Sequence, residues 1–147
     1  MLPQSVVEEK VEKALKMLIE RDGYLLQKDS SERSITHRLA IYLEPEFEGW
    51  NVDCEYNRNG GDKKVLDALK ANGNRNGRTV LPDIIIHKRG TKQNLLVIEA
   101  KKNDPHDAFD LEKLAYFKKQ ENIKYKYALY INIGTGDNAG RYSKEWI

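Results

Sequence analysis

Cysteine is almost missing from this chain: Cys54 is the single one among 147 residues. That excludes a disulfide framework and any cysteine-based zinc cluster. Cys54 itself reads as a small half-buried strand residue rather than a nucleophile. Long apolar runs are missing as well. No stretch approaches the length needed to cross a bilayer, and Glu8-Glu9 arrive before an apolar signal core could form. The expectation is a soluble, cytoplasmic protein without a membrane partner. Net charge is small, +2, so the whole-chain balance does not announce a nucleic-acid partner. Repeats, low-complexity tracts and linkers are also lacking, which points to one domain spanning residues 1–147.

What is present is a polar globular composition. Hydrophobic residues make up 39% and charged residues 33%, too apolar for disorder, and the chain is long enough to bury a core. The charge is unevenly placed. Residues 1–56 carry seven Lys/Arg and twelve Asp/Glu, residues 57–78 six and two, and residues 79–147 twelve and nine. The last two segments are therefore net positive, as a polyanion-binding enzyme requires. The basic residues Arg58, Lys63, Lys64, Lys70, Arg75 and Arg78 are read either as a solvated face or as contacts to a DNA backbone.

Periodicity gives an α-α-β-loop-β-β-α-β order. Val7, Val11, Ala14, Leu15 and Leu18 recur at helical spacing over residues 4–22, with Gly23 as a stop. A second helix starts at Ser30-Ser31 and runs to about Leu43, with Ile35, Leu39, Tyr42 and Leu43 as its apolar stripe. Trp50–Tyr56 reads as a strand with Val52 and Cys54 on one face, and Lys63–Leu69 as a short helix. Residues 107–121 read as a helix turning Ala108, Leu111, Leu114 and Ala115 inward, with the Lys118 stem along the edge. Asp110 and Lys113, at i and i+3, read as a surface ion pair. Alternation from Tyr125 to Ile133 marks the last strand, and Gly134–Gly140 reads as a mobile turn without a phosphate-binding fingerprint.

The most informative segment is Pro82-Asp83-Ile84-Ile85-Ile86 followed by Leu95-Leu96-Val97-Ile98-Glu99-Ala100-Lys101. Two apolar strands flank the polar, glycine-bearing turn Arg89-Gly90-Thr91-Lys92-Gln93. A hairpin symmetric about Thr91 sets Ile86 against Leu96, Ile84 against Ile98 and Asp83 against Glu99. Opposed carboxylates about 5 Å apart at Cβ repel, so this pairing calls for a cation between them. Lys101 shares a strand face with Glu99 and supplies one charge; a divalent metal would supply a stronger one.

Pro82-Asp83, a fifteen-residue spacer and Glu99-Ala100-Lys101 resemble the PD-(D/E)xK nuclease superfamily, in a layout covering roughly residues 30 to 134. The resemblance implies a restriction-endonuclease-like α/β core, a mixed central β-sheet flanked by helices. It further implies that Asp83, Glu99 and the Ala100 backbone carbonyl hold Mg²⁺, with Mn²⁺ as a substitute. Lys101 then orients water or neutralises charge, and Glu32, in the first turn of the second helix, joins the metal directly or through water. The alternative for Glu32 is an exposed glutamate favoured by the helix dipole. His37 is rotated away from Glu32 on the same helix and is read as a packing or substrate-side residue. Lys113 borders the site on the following helix and is a candidate phosphate contact. The implied activity is Mg²⁺-dependent (endo)deoxyribonuclease hydrolysis of DNA, of repair, recombination, restriction or mobile-element type, with internal versus end cleavage and RNA left open and a homodimer as a common form of such enzymes. The competing reading is a nucleic-acid-binding or interaction module, with Asp83, Glu99 and Lys101 as an ordinary cross-strand charge network.

Overall fold

Helical spacing and capping chemistry shape the first third of the chain. A computed structural model describes residues 1–56 and 81–147 in full, and residues 58–59 and 62–63 by their backbone. The first helix, α1, spans Gln4–Arg21 and buries Val7, Val11, Ala14, Leu15 and Leu18, the stripe expected from spacing. The helix stops just before Gly23, as expected, and Gly23 opens a separate short helix, α2, Gly23–Gln27. The third helix, α3, spans Glu32–Glu46, and the Ser31 hydroxyl caps it by accepting from the Ser34 amide at 3.2 Å. It runs past the expected end at Leu43 to Glu46, with Pro45 inside its last turn.

The first strand, β1, is Asn51–Cys54, shorter than expected because Glu55 takes a left-handed φ of 49°. Cys54 is exposed rather than half-buried. The two-residue strands β2, Arg58–Asn59, and β3, Asp62–Lys63, pair antiparallel. Residues 64–69 of the expected Lys63–Leu69 helix lie outside the described residues. So do Lys64, Lys70, Arg75 and Arg78 and the side chains of Arg58 and Lys63. Next come β4, Ile84–His87, and β5, Asn94–Lys102, then α4, Ala108–Lys119, and β6, Tyr127–Ile133.

A 3₁₀ turn at Gly136–Asn138 leads to β7, Tyr142–Trp146, a strand that the sequence reading left out. Gly134 is needed at this turn: a Cβ there would lie 2.1 Å from the Asn138 carbonyl oxygen. The expected mobile turn is thus a tight connection between two paired strands.

Among the described residues these strands form one five-stranded mixed sheet in the order β1-β4-β5-β6-β7. All neighbours are antiparallel except β5 and β6, which run parallel across α4. This is the expected α/β class, a mixed sheet flanked by helices. The hairpin register is also as expected, with Ile84 opposite Ile98 and Ile86 opposite Leu96. A bulge between Ile86 and His87 then pairs His87 with Asn94.

Alternation divides the sheet into two faces. Ile84, Ile86, Leu96, Ile98, Ala100, Leu129, Ile131 and Ile133 pack against α1 and α3. Ile85, Val97, Ala128 and Tyr130 pack against Leu114 and Phe117 of α4. Each fully buried Ile or Leu contributes roughly 1.5–3 kcal/mol. Among the described residues no helix is long and apolar enough to cross a membrane.

At the turn end of β4, Asp53 ties the edge strand β1 to the hairpin. His87 Nε2 lies 2.7 Å from its carboxylate, and the Arg89 guanidinium donates to both of its oxygens. Burial works against the charge of Asp53, but the Arg89 and His87 hydrogen bonds outweigh it and hold the carboxyl below its ordinary range. A depressed folded value contributes stability above the unfolded pKa of about 3.9, lost as pH falls through the folded value. Asp53→Asn should therefore cost about 1–3 kcal/mol at pH 7. The gap to the wild type should narrow at pH 3, as thermal melting at the two pH values will show.

Candidate active site

The end of β5 turns alternate side chains to opposite layers, so Glu99 and Lys101 face α4 while Ala100 and Lys102 face α1 and α3. Asp83 stands just before β4, one position beyond the Ile84–Ile98 pair. Its amide donates to Glu99 Oε1 at 3.3 Å, and its own Oδ2 accepts from the Ala100 amide at 2.9 Å. The two acidic residues of the hairpin are therefore joined through each other's strand. Glu99 is the costly member, with only 2% of its side chain exposed. Burial first, then the charges of Asp83 and Asp110, push its carboxyl well above the ordinary range, against the pull of Lys113.

Helix α4 answers that cost, in a way that corrects the sequence reading. Its buried residues are Asp110, Lys113, Leu114 and Phe117, at i, i+3, i+4 and i+7; of the expected inward residues Leu114 is buried and Leu111 partly buried, whereas Ala108 is exposed and Ala115 only half-buried. Asp110 and Lys113 are no surface pair. Lys113 Nζ lies 2.8 Å from Glu99 Oε1, and its side chain is 7% exposed. Asp110 instead faces Lys101: its buried Oδ2 lies 3.4 Å from Lys101 Nζ, an ion pair without hydrogen-bond geometry. Burial raises the Asp110 carboxyl too. Partial burial disfavours the Lys101 charge, but Asp110 and Glu32 outweigh it and hold the ammonium above the ordinary lysine value.

Glu32 reaches the same place from the other side. Its Oε1 is 4.0 Å from Lys101 Nζ, and its Oε2 accepts from the Lys102 amide at 3.3 Å. The start of α3 is held there by a clamp. Lys102 Nζ donates to Asp29 Oδ1 and to the Ser30 carbonyl, and the buried Thr135 hydroxyl donates to the same Asp29 oxygen at 2.8 Å. Asn103, with φ at 51°, bonds Thr135 through both side-chain amide atoms. The residues after β5 and β6 thus fix the turn from which Glu32 emerges. Beside it lies an open pocket of about 560 Å³, on whose wall stand Glu32, Thr36, His37, Cys54 and Asp83. His37 is exposed on that wall, and the nearby Arg33 pairs with Glu55 through two hydrogen bonds.

The donors available to a cation are all oxygens, the set a hard ion prefers. Asp83 and Glu99 supply carboxylates. Ala100 points its N–H, and with it its carbonyl, toward the Asp83 side of the strand. Continuing the ladder would set Pro82 opposite Ala100, and proline has no N–H to give that carbonyl. Among the described residues no three His, Cys, Asp or Glu side chains converge as a metal cluster by themselves. Water and the Ala100 carbonyl would have to complete the coordination. The donor set fits Mg²⁺ or Mn²⁺ on those terms.

The structure brings Asp83, Glu99, Lys101, Glu32 and Lys113 to one end of the sheet. Sequence reasoning missed the crosswise pairing, Glu99 with Lys113 and Lys101 with Asp110. The available signal was Asp110 and Lys113 at helical spacing with Leu114 and Phe117. Comparison with protein families, curated proteins and solved structures finds no match to this chain. Replacing the buried Thr135 by valine keeps its shape and removes the hydroxyl's bonds to Asp29 Oδ1 and from Asn103 Nδ2, leaving the backbone bond to Asn103 Oδ1. The change should cost about 1–3 kcal/mol and speed amide hydrogen exchange at residues 29–34, measured by mass spectrometry.

Proposed function

We propose that the chain is a metal-dependent nuclease of PD-(D/E)xK type, hydrolysing phosphodiester bonds in DNA by internal cleavage. One observation carries this reading: two acids on neighbouring strands, an ammonium two residues past the second, and a helix glutamate meet at one sheet end beside an open pocket. The helix–hairpin–helix–parallel strand order fits a restriction-endonuclease-like core. Asp83, Glu99 and the Ala100 carbonyl would hold Mg²⁺ or Mn²⁺, with Glu32 beside it. Bound metal supplies polarisation of the phosphate and a more acidic water.

The chain's own residues do the rest. Lys101 is a firmly charged donor, suited to orienting water or neutralising the phosphate rather than accepting a proton. Asp110 and Glu32 fix its position from two helices. Asp83, tied to the Ala100 amide, presents its carboxylate at the strand end without rotamer freedom. The basic residues Arg58, Lys63, Lys64, Arg75 and Arg78 belong to this reading as backbone contacts to DNA, and a homodimer would supply a second cutting site.

A second reading, a nucleic-acid-binding or interaction module that does not cut, is favoured by one feature: Lys113 already satisfies Glu99. Cleavage of linear, circular and branched DNA with Mg²⁺ or Mn²⁺ separates the two. Asp83→Ala and Lys101→Ala should each lower the rate by roughly 10²–10³-fold, and a cut circle establishes internal cleavage. Unchanged activity in Asp83→Ala removes it from the site. Binding without cleavage by the parent protein selects the module.

A further inference from the structure

The two lysines of the site do different work. Lys101 lies beside acids at its mouth, whereas Lys113 is sealed against Glu99 in the layer between the sheet and α4. Glu99 Oε1 is the oxygen turned toward Asp83, since it accepts from the Asp83 amide at 3.3 Å. The same oxygen accepts from Lys113 Nζ at 2.8 Å. A carboxylate oxygen has two lone-pair directions, and both are taken. An ion bridging Asp83 and Glu99 through that oxygen must therefore displace Lys113. It cannot simply join it, because two positive charges within about 5 Å in a dry site repel strongly.

An acid stands within reach of the displaced ammonium. Asp110 lies one turn earlier on the same helix, at i−3, where side chains are neighbours. Its buried Oδ2 forms an ion pair with Lys101 Nζ at 3.4 Å but no hydrogen bond, so the displaced ammonium would share this carboxylate with Lys101.

We propose that Lys113 is the resident counter-ion of Glu99, occupying the bridging position until a divalent cation displaces it toward Asp110. Lys113 is a positioning residue in this scheme: it keeps the carboxylates folded in place without metal and competes with the metal for them. The proposal rests on the reading of Asp83 and Glu99 as cation ligands.

The test is thermal melting of the full chain across a Mn²⁺ titration for wild type, Lys113→Met and Lys113→Arg. Without metal, Lys113→Met should melt roughly 10 °C below wild type, the mark of a broken buried pair. Its Mn²⁺-induced rise should be at least twice that of wild type, because the competitor is gone. Lys113→Arg retains the charge and holds the carboxylate through two donors, so its Mn²⁺ midpoint should rise several-fold; this variant decides the matter if Lys113→Met does not fold. Equal Mn²⁺ responses in wild type and the variants overturn the competition while leaving the cation site standing. No response in any of the three proteins overturns both the cation site and the role of Lys113.

Discussion

Removing a carboxylate from water is expensive unless a cation accompanies it, and Glu99 is removed almost completely. The architecture around it meets that requirement. A strand bearing isoleucine, leucine and valine on both faces must be covered by helices on both sides, so whatever its last turn carries becomes enclosed as well. Helix α4, which covers one face, delivers Lys113 to Glu99 and Asp110 to Lys101. Helix α3, which covers the other, delivers Glu32 to the opposite side of Lys101. Five charged residues are thereby shared among three elements, and a shift of α4 against β5 would leave Glu99 buried without its cation.

That arrangement also fixes what the site can do. Strand β4 gives way to Asp83 at the end of the hairpin, so Asp83 opens onto a pocket while Glu99, beside it on the central strand, stays buried. A carboxylate tied to a backbone amide and a charged lysine held by two acids form a preorganised polar surface. The clamp of Asp29, Lys102, Asn103 and Thr135 lies outside this surface but sets the angle at which α3 enters it.

Local chemistry was readable from the residues alone. The hairpin register followed from symmetry about Thr91 and from strict side-chain alternation, which penalises any one-residue slip. The α3 start followed from Ser31 and Glu32, and the α1 stripe from five aliphatic residues at helical spacing. What failed was information held in another element. The inward face of α4 could not be phased from its apolar residues, because two of its four buried positions are charged and are buried only by virtue of Glu99 and Lys101. Strand β7 has Tyr142 and Trp146 at its ends and Ser143, Lys144 and Glu145 between them; it gains its place by pairing with β6, and Lys144 by pairing with Glu8 and Glu12 of α1. The bulge at His87 and the exposure of Cys54 likewise depend on partners across the sheet.

The central claim is that Asp83 and Glu99 form one cation site at one end of the sheet. A crystal structure of the protein soaked in Mn²⁺, with anomalous scattering used to locate the ion, tests it most directly. The account predicts a peak between the two carboxylates and within coordination distance of the Ala100 carbonyl. An ordered Mn²⁺ elsewhere, with Lys113 still seated on Glu99 and nothing beside Asp83, would contradict it.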